Sequence, residues 1–117
     1  MRAPSEIIKK VGKTMRTAEE LILDAKTALA EDDIWKVSDI LCEALGHLSD
    51  FSWRTGVTWE WSEVKECCHE IGELLYDHGG MTLMKDIYMD VRDEMKYVAA
   101  RYLEHSWNGC GDGAWRS

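Results

Sequence analysis

The sequence predicts an all-α protein: a single-domain antiparallel four-helix bundle with a glycine- and tryptophan-rich C-terminal tail. Apolar residues recur at spacings of three and four in four separate segments, which is the signature of helices with one apolar face. There is a single proline, Pro4, where strand-rich domains carry denser turn punctuation. The breaks between the segments are short, so successive helices are expected to pack antiparallel. A chain of 117 residues has the length of one domain, and on folding it hides roughly two-thirds of the surface its unfolded form exposes. It therefore needs neither a metal nor a disulfide to hold together. A composition 45% hydrophobic and 31% charged is that of a folded rather than a disordered chain.

The first helix is expected over about residues 5–30, with Ile7, Val11, Met15, Ala18, Ile22, Ala25 and Leu29 on one face. Pro4 stands where proline is tolerated, at or before the first turn. Thr17 and Glu20 have capping-box spacing, but the apolar stripe runs straight through them, which favours one continuous helix. Glu31-Asp32-Asp33 breaks the pattern and caps a second helix over about 33–53, carrying Ile34, Val37, Leu41, Leu45 and Leu48. Arg54-Thr55-Gly56 reads as a turn. A third helix over about 58–78, starting at Thr58 or Ser62, buries Trp61, Val64, Cys68, Ile71 and Leu75. Gly79-Gly80 stops it, and Thr82 can cap a fourth over about 82–106 with Met84, Ile87, Val91, Met95, Val98 and Tyr102. Residues 107–117 form the non-helical tail. The same spacings suit helix association between chains, so a homodimer is expected.

Charge narrows the partners. Residues 1–16 hold five basic residues (Arg2, Lys9, Lys10, Lys13, Arg16) against Glu6; the rest holds nine basic and 21 acidic residues, a net of −12 within an overall −8. Proteins that grip phosphate backbones present basic surfaces, so nucleic acid is disfavoured as a partner. The basic start complements the protein's own acidic body or a dimer mate. No apolar run approaches the ~20 residues that cross a bilayer, and the charged N-terminus lacks the apolar stretch of a signal peptide. Cys42, Cys67, Cys68 and Cys110 then read as reduced thiols in the cytoplasm, and no membrane partner is expected.

Two constellations stand out. Five of the six tryptophans, Trp53, Trp59, Trp61, Trp107 and Trp115, fall at segment ends that an up-down-up-down bundle brings together, near Arg54, Lys9 and Lys10. Large aromatics beside cations suit a binding hot spot. The plainer alternative is that the tail indoles plug the open end of the core. The second constellation is acidic. Glu63, Glu66, Glu70, Glu73 and Asp77 share one face of the third helix, and Asp86, Asp90 and Asp93 flank the core of the fourth. Facing carboxylates need compensation, from Mg²⁺ or Mn²⁺ or from Lys65, Lys85 and Arg92 reaching across a solvated face. The candidate Cys/His groups are Cys67-Cys68-His69, Cys42 with His47, His78, and His105 with Cys110. None has the paired Cys-x-x-Cys spacing of structural zinc, so no zinc site and no cysteine nucleophile are expected. Gly109, Gly111 and Gly113 lack the Lys-Ser/Thr and helix of a phosphate loop.

His69-Glu70-Ile71-Gly72-Glu73-Leu74 resembles the first acidic motif of the all-α, MazG-like nucleoside-triphosphate pyrophosphohydrolases, and Asp90-x-x-Asp93 follows where that family has a second. The resemblance covers about 25 residues. It departs where His69 replaces a leading glutamate and Asp90 replaces a glutamate, and the motif lies later in this chain than in the family. It implies Mg²⁺ held by Glu70, Glu73, Asp90 and Asp93, polarising a phosphate and activating water. Two functions are thus expected to compete. One is a non-enzymatic interaction or oligomerisation module using the tryptophan-rich end, with no cofactor. The other is a Mg²⁺-dependent pyrophosphohydrolase acting at the acidic hairpin.

Overall fold

The structure is a computed structural model that describes residues 17–51, 53 and 56–110. The expected helical residues 5–16, Arg54 and the tail from residue 111, with Trp115, lie outside the described residues. Within them every regular element is helical: α1 (Ala18–Ala30), α2 (Ile34–Leu45) and α3 (Trp61–Trp107). The all-α class holds. Three helices stand among the described residues where four were expected, because the chain beyond Trp61 forms one element, broken at Gly80 as expected and again at Lys96.

Helix α1 starts at a cap, not mid-helix. Thr17 has extended backbone, its side chain accepts the Glu20 N–H at 3.1 Å, and Glu20 accepts the Thr17 N–H at 3.0 Å. This reciprocal pairing satisfies two amides that a helix start leaves open. The apolar stripe that argued for continuity through Thr17 does not overcome it. At the other end, Asp32 takes φ 60°, a left-handed conformation aspartate tolerates. The Asp32 and Asp33 amides return to the carbonyls of Leu29 and Ala28 at 3.0 and 2.8 Å. Helix α2 stops at Leu45, short of the expected residue 53; past Gly46 the chain tightens into turns that still bury His47 and Leu48.

Contacts set the topology. The Tyr88 hydroxyl donates to the Glu104 carboxylate, sixteen residues on, a separation of about 24 Å along a straight helix. The chain therefore folds back between them, at Lys96 (φ 75°, ψ 179°). Trp61 meets Tyr102, His69 meets Ser106, and Cys68 meets Trp107, so residues 61–79 and 97–107 run side by side in the same direction. Residues 81–95 must run opposite to both, and the other reversal is at Gly80 (φ 72°, ψ −166°). Helix α1 runs parallel to residues 61–79, with Ala18 beside Cys67 and Leu29 near Leu74 and Asp77. Helix α2 packs against both α1 and α3, its Ser38 bonded to Asp90.

The core gathers Leu21, Ala25, Leu29, Val37, Leu41, Leu45, Val64, Cys68, Ile71, Leu75, Met84, Ile87, Val91 and Met95. The expected stripe holds through Met95 and then slips. Val98 is 52% exposed and Tyr102 half-buried, while Ala99, Leu103 and Trp107 are buried. The break at Lys96 turns the following segment so that a new face meets the core.

Gly80 and Lys96 share a backbone region that only glycine enters without strain, costing other residues ~1–3 kcal/mol. Glycine fills the first reversal and lysine the second. Lys96→Gly is therefore expected to stabilise the fold by about 1 kcal/mol, net of the entropy glycine adds to the unfolded chain and of the exposed Lys96 Nζ to Asp93 carbonyl bond. Denaturant unfolding followed by circular dichroism checks this; a destabilised variant would place the reversal elsewhere.

Candidate functional site

The aromatic end forms in part. The Trp59 amide donates to the His47 carbonyl at 2.8 Å, and the Trp59 ring stacks on the His47 imidazole with centroids 4.3 Å apart. The buried imidazole donates Nδ1–H to the Val57 carbonyl at 3.2 Å, so this loop is pinned from both sides. Trp61 leans on Tyr102 at 5.3 Å; Tyr102 meets Phe51 edge-on and donates its hydroxyl to Asp50 at 3.1 Å. A recess of about 380 Å³ opens between Trp61, Lys65, Tyr102, His105 and Asn108. Trp53 is 78% exposed. Trp107 is fully buried and donates its indole N–H to the Cys68 carbonyl at 2.8 Å. It ends α3, where a non-helical tail was expected, and fills the core beside Cys68, whereas Trp53 and Trp61 remain exposed.

The acidic residues do not converge as a four-carboxylate site. Glu70 and Glu73 line a cleft of about 780 Å³ with Ser62, Lys65, Glu66, His69 and Asn108. Glu73 pairs with His69 Nε2 at 3.3 Å. Asp90 instead accepts the Ser38 hydroxyl from α2, and Asp93 is exposed one turn further on. Among the described residues, the group of three or more His, Cys, Asp or Glu whose ligand atoms lie within 4.8 Å of one another is His69, Glu73 and Cys110. The hairpin carboxylates form no such group. The physical reason is that α2 packs against the Asp90 side and its Ser38 takes that carboxylate.

Cys67, Cys68 and Cys110 are buried and in no disulfide. Burial, reinforced by Glu70, Glu63 and Glu43, pushes the Cys67 thiol up to about 12, and burial raises Cys68 well above its ordinary range. Cys110 is pushed up to about 11 by burial and by Glu73. A nucleophile needs the thiolate, which these surroundings suppress near neutral pH. No helix among the described residues is long and apolar enough to cross a membrane.

A second feature lies on the adjoining flank of residues 61–79, sharing Glu66 and Glu70 with the cleft above. Between them and α1 runs a groove of about 550 Å³, lined by Ala18, Ile22, Leu23, Cys67, Glu19, Glu63, Glu66, Glu70 and Lys26. Leu23 is 63% exposed there. Its lining holds four carboxylates against one ammonium, around an apolar floor.

No protein-family model, characterised protein or solved structure matches this chain. The likeness to the pyrophosphohydrolase motif rests on its few residues alone. Sequence reasoning found Glu66 and Glu70 as a shared helix face but missed the groove, because the residues of α1 that complete it are set by packing. It also grouped Cys110 with His105 and His69 with Cys67 and Cys68; folding instead joins His69 to Cys110, 41 positions apart. No spacing signal reports such a pairing.

Proposed function

We propose that this chain is a non-enzymatic helical interaction module that self-associates by holding a basic amphipathic helix in the groove between α1 and α3. The observation that carries this is the groove's composition, an apolar floor of Ala18, Ile22, Leu23 and Cys67 beneath Glu19, Glu63, Glu66 and Glu70. Grooves of that kind take helices whose apolar residues repeat every three to four positions and whose flanks carry the opposite charge. The first sixteen residues of a second copy have that chemistry: a net charge of +4, with Ile7, Val11 and Met15 at helical spacing. The exposed Trp53 and Trp61 offer a further apolar contact, but with Trp107 in the core the tryptophan-rich end is secondary to the groove.

The test is a charge swap read by analytical ultracentrifugation. The wild-type chain is expected to associate at low salt and dissociate as salt shortens the screening length from ~30 Å at 0.01 M to ~10 Å at 0.1 M. Lys9/Lys10/Lys13→Glu and Glu63/Glu66/Glu70→Lys should each abolish association, and mixing the two variants should restore a heterodimer. A wild-type chain that stays monomeric throughout, or a mixture that fails to associate, overturns the proposal.

A further inference from the structure

We propose that His69, Glu73 and Cys110 form a binding site for a borderline-soft divalent ion of the zinc class, which fastens the turn after α3 to residues 61–79 of the same element. The three donors come from two places. His69 and Glu73 are one helical turn apart on one face. Cys110 arrives from the turn beyond Trp107, where Gly109 takes φ 97° and the Cys110 amide donates to the Trp107 carbonyl at 2.8 Å. That turn is thus anchored to the most deeply buried aromatic of the core.

The separations suit a tetrahedral ion. Bonds of about 2.0–2.1 Å to nitrogen and oxygen and about 2.3 Å to sulfur give tetrahedral edges of roughly 3.3–3.4 Å for N···O and roughly 3.6 Å for N···S. His69 Nε2 stands 3.3 Å from Glu73 Oε2 and 3.9 Å from Cys110 Sγ. The first edge is in place; the sulfur, which stands 3.4 Å from Nδ1, must turn about its Cα–Cβ bond toward the Nε2 side to complete the second.

An independent observation concerns the other face of the imidazole. Nδ1–H donates to the Ser106 carbonyl at 2.9 Å. In the neutral ring this bond leaves the lone pair on Nε2, the nitrogen 3.3 Å from Glu73 Oε2, and it is the outer contact that metal-bound histidines characteristically make. It also holds the ring in place before any ion arrives.

The donor set decides the class of ion. One imidazole, one carboxylate and one thiolate suit zinc; Mg²⁺ demands an octahedron of oxygens and reluctantly gives up its water. In the ion-free chain the Cys110 thiol donates to the His69 carbonyl at 3.4 Å. Binding breaks the S–H bond and forms the sulfur–metal bond, and the proton leaves to solvent. His69 and Glu73 also line a cleft with Glu66, Glu70 and Asn108, from which water would complete the site.

The experiment titrates the full chain with Co²⁺, the spectroscopic stand-in for zinc, under a non-chelating reductant. One equivalent should produce thiolate-to-cobalt charge-transfer absorption in the near-ultraviolet, bleached by one equivalent of Zn²⁺ and untouched by excess Mg²⁺. Cys110→Ser should abolish the band, while Cys42→Ser, on a thiol outside the trio, should leave it unchanged. Glu73→Gln alters an exposed side chain, so the far-ultraviolet circular dichroism should stay wild-type while the affinity falls by at least about tenfold. Should Cys110→Ser misfold, the Glu73→Gln result decides. Absence of the band at saturating Co²⁺, its survival in a folded Cys110→Ser chain, or unchanged affinity in Glu73→Gln overturns the proposal. These readouts are independent of self-association, because the groove variants leave all three donors in place.

Discussion

Trp107→Ala is expected to lower the unfolding free energy by about 3–5 kcal/mol, the range for truncating a fully buried large aromatic. Trp107 is the largest of the fully buried side chains, at 0% exposure. Its ring lies over Gly72, and its indole N–H satisfies the Cys68 carbonyl. Truncation removes contacts with a segment that otherwise meets residues 97–107 through Trp61 and His69. For a domain near this size ~1 kcal/mol moves the melting midpoint by about 4–8 °C, so a fall of more than ten degrees is expected. Total stabilities of small domains are ~5–15 kcal/mol, so a sizeable unfolded population at 37 °C would follow. Trp107→Phe should fall between, keeping most of the ring but leaving the Cys68 carbonyl without its indole donor. Circular dichroism during urea unfolding is the suitable probe, since the substitution itself alters tryptophan fluorescence. A loss under about 1 kcal/mol would mean that residues 97–107 do not pack on residues 61–79 as described.

Gly72→Ala should destabilise the chain by about 1–3 kcal/mol, although alanine is the better helix former by about 1 kcal/mol. A methyl group placed on Gly72 would lie 2.6 Å from Trp107 Nε1 and 2.7 Å from Cδ1. The obstructing atoms belong to a rigid, buried, hydrogen-bonded ring and cannot swing aside as a lysine tip would. The sign should reverse when the obstacle is gone: in a Trp107→Ala background the same change should be neutral or stabilising by up to ~1 kcal/mol. The four chains of this double-mutant cycle, unfolded in urea, give the coupling directly. Simple additivity would show that Gly72 and Trp107 are not in contact.

Much of the fold was legible in local pattern. The stripe Val64, Cys68, Ile71, Leu75 and its continuation Met84, Ile87, Val91, Met95 were read as core from spacing, and all are buried. The acidic face of residues 63–73 was likewise readable, because neighbours three and four apart share a helix surface whatever lies opposite. Legibility failed where the deciding interaction was either a single local bond or a distant one. Thr17 with Glu20 outweighed an apolar stripe that continued on its N-terminal side. Lys96 carries no turn signal, since lysine is an ordinary helix residue, yet the chain reverses there and the core face after it moves from Val98 and Tyr102 to Ala99 and Leu103. Asp90 was placed opposite Glu70 by counting from Gly80, which presumes a straight hairpin; packing against α2 gave it to Ser38 instead.

The amino-acid sequence by itself determined the all-α class, the positions of most core residues and the acidic helix face. Each follows from periodicity, composition or charge within about a dozen neighbouring residues. Only the tertiary structure decided that the long third element folds back a second time at Lys96, that Trp107 fills the core, and that His69 meets Cys110. Tertiary structure alone also decided that α1 completes an acidic groove. These depend on which helix faces meet, and that choice is made by the simultaneous packing of residues tens of positions apart, to which no local spacing is sensitive.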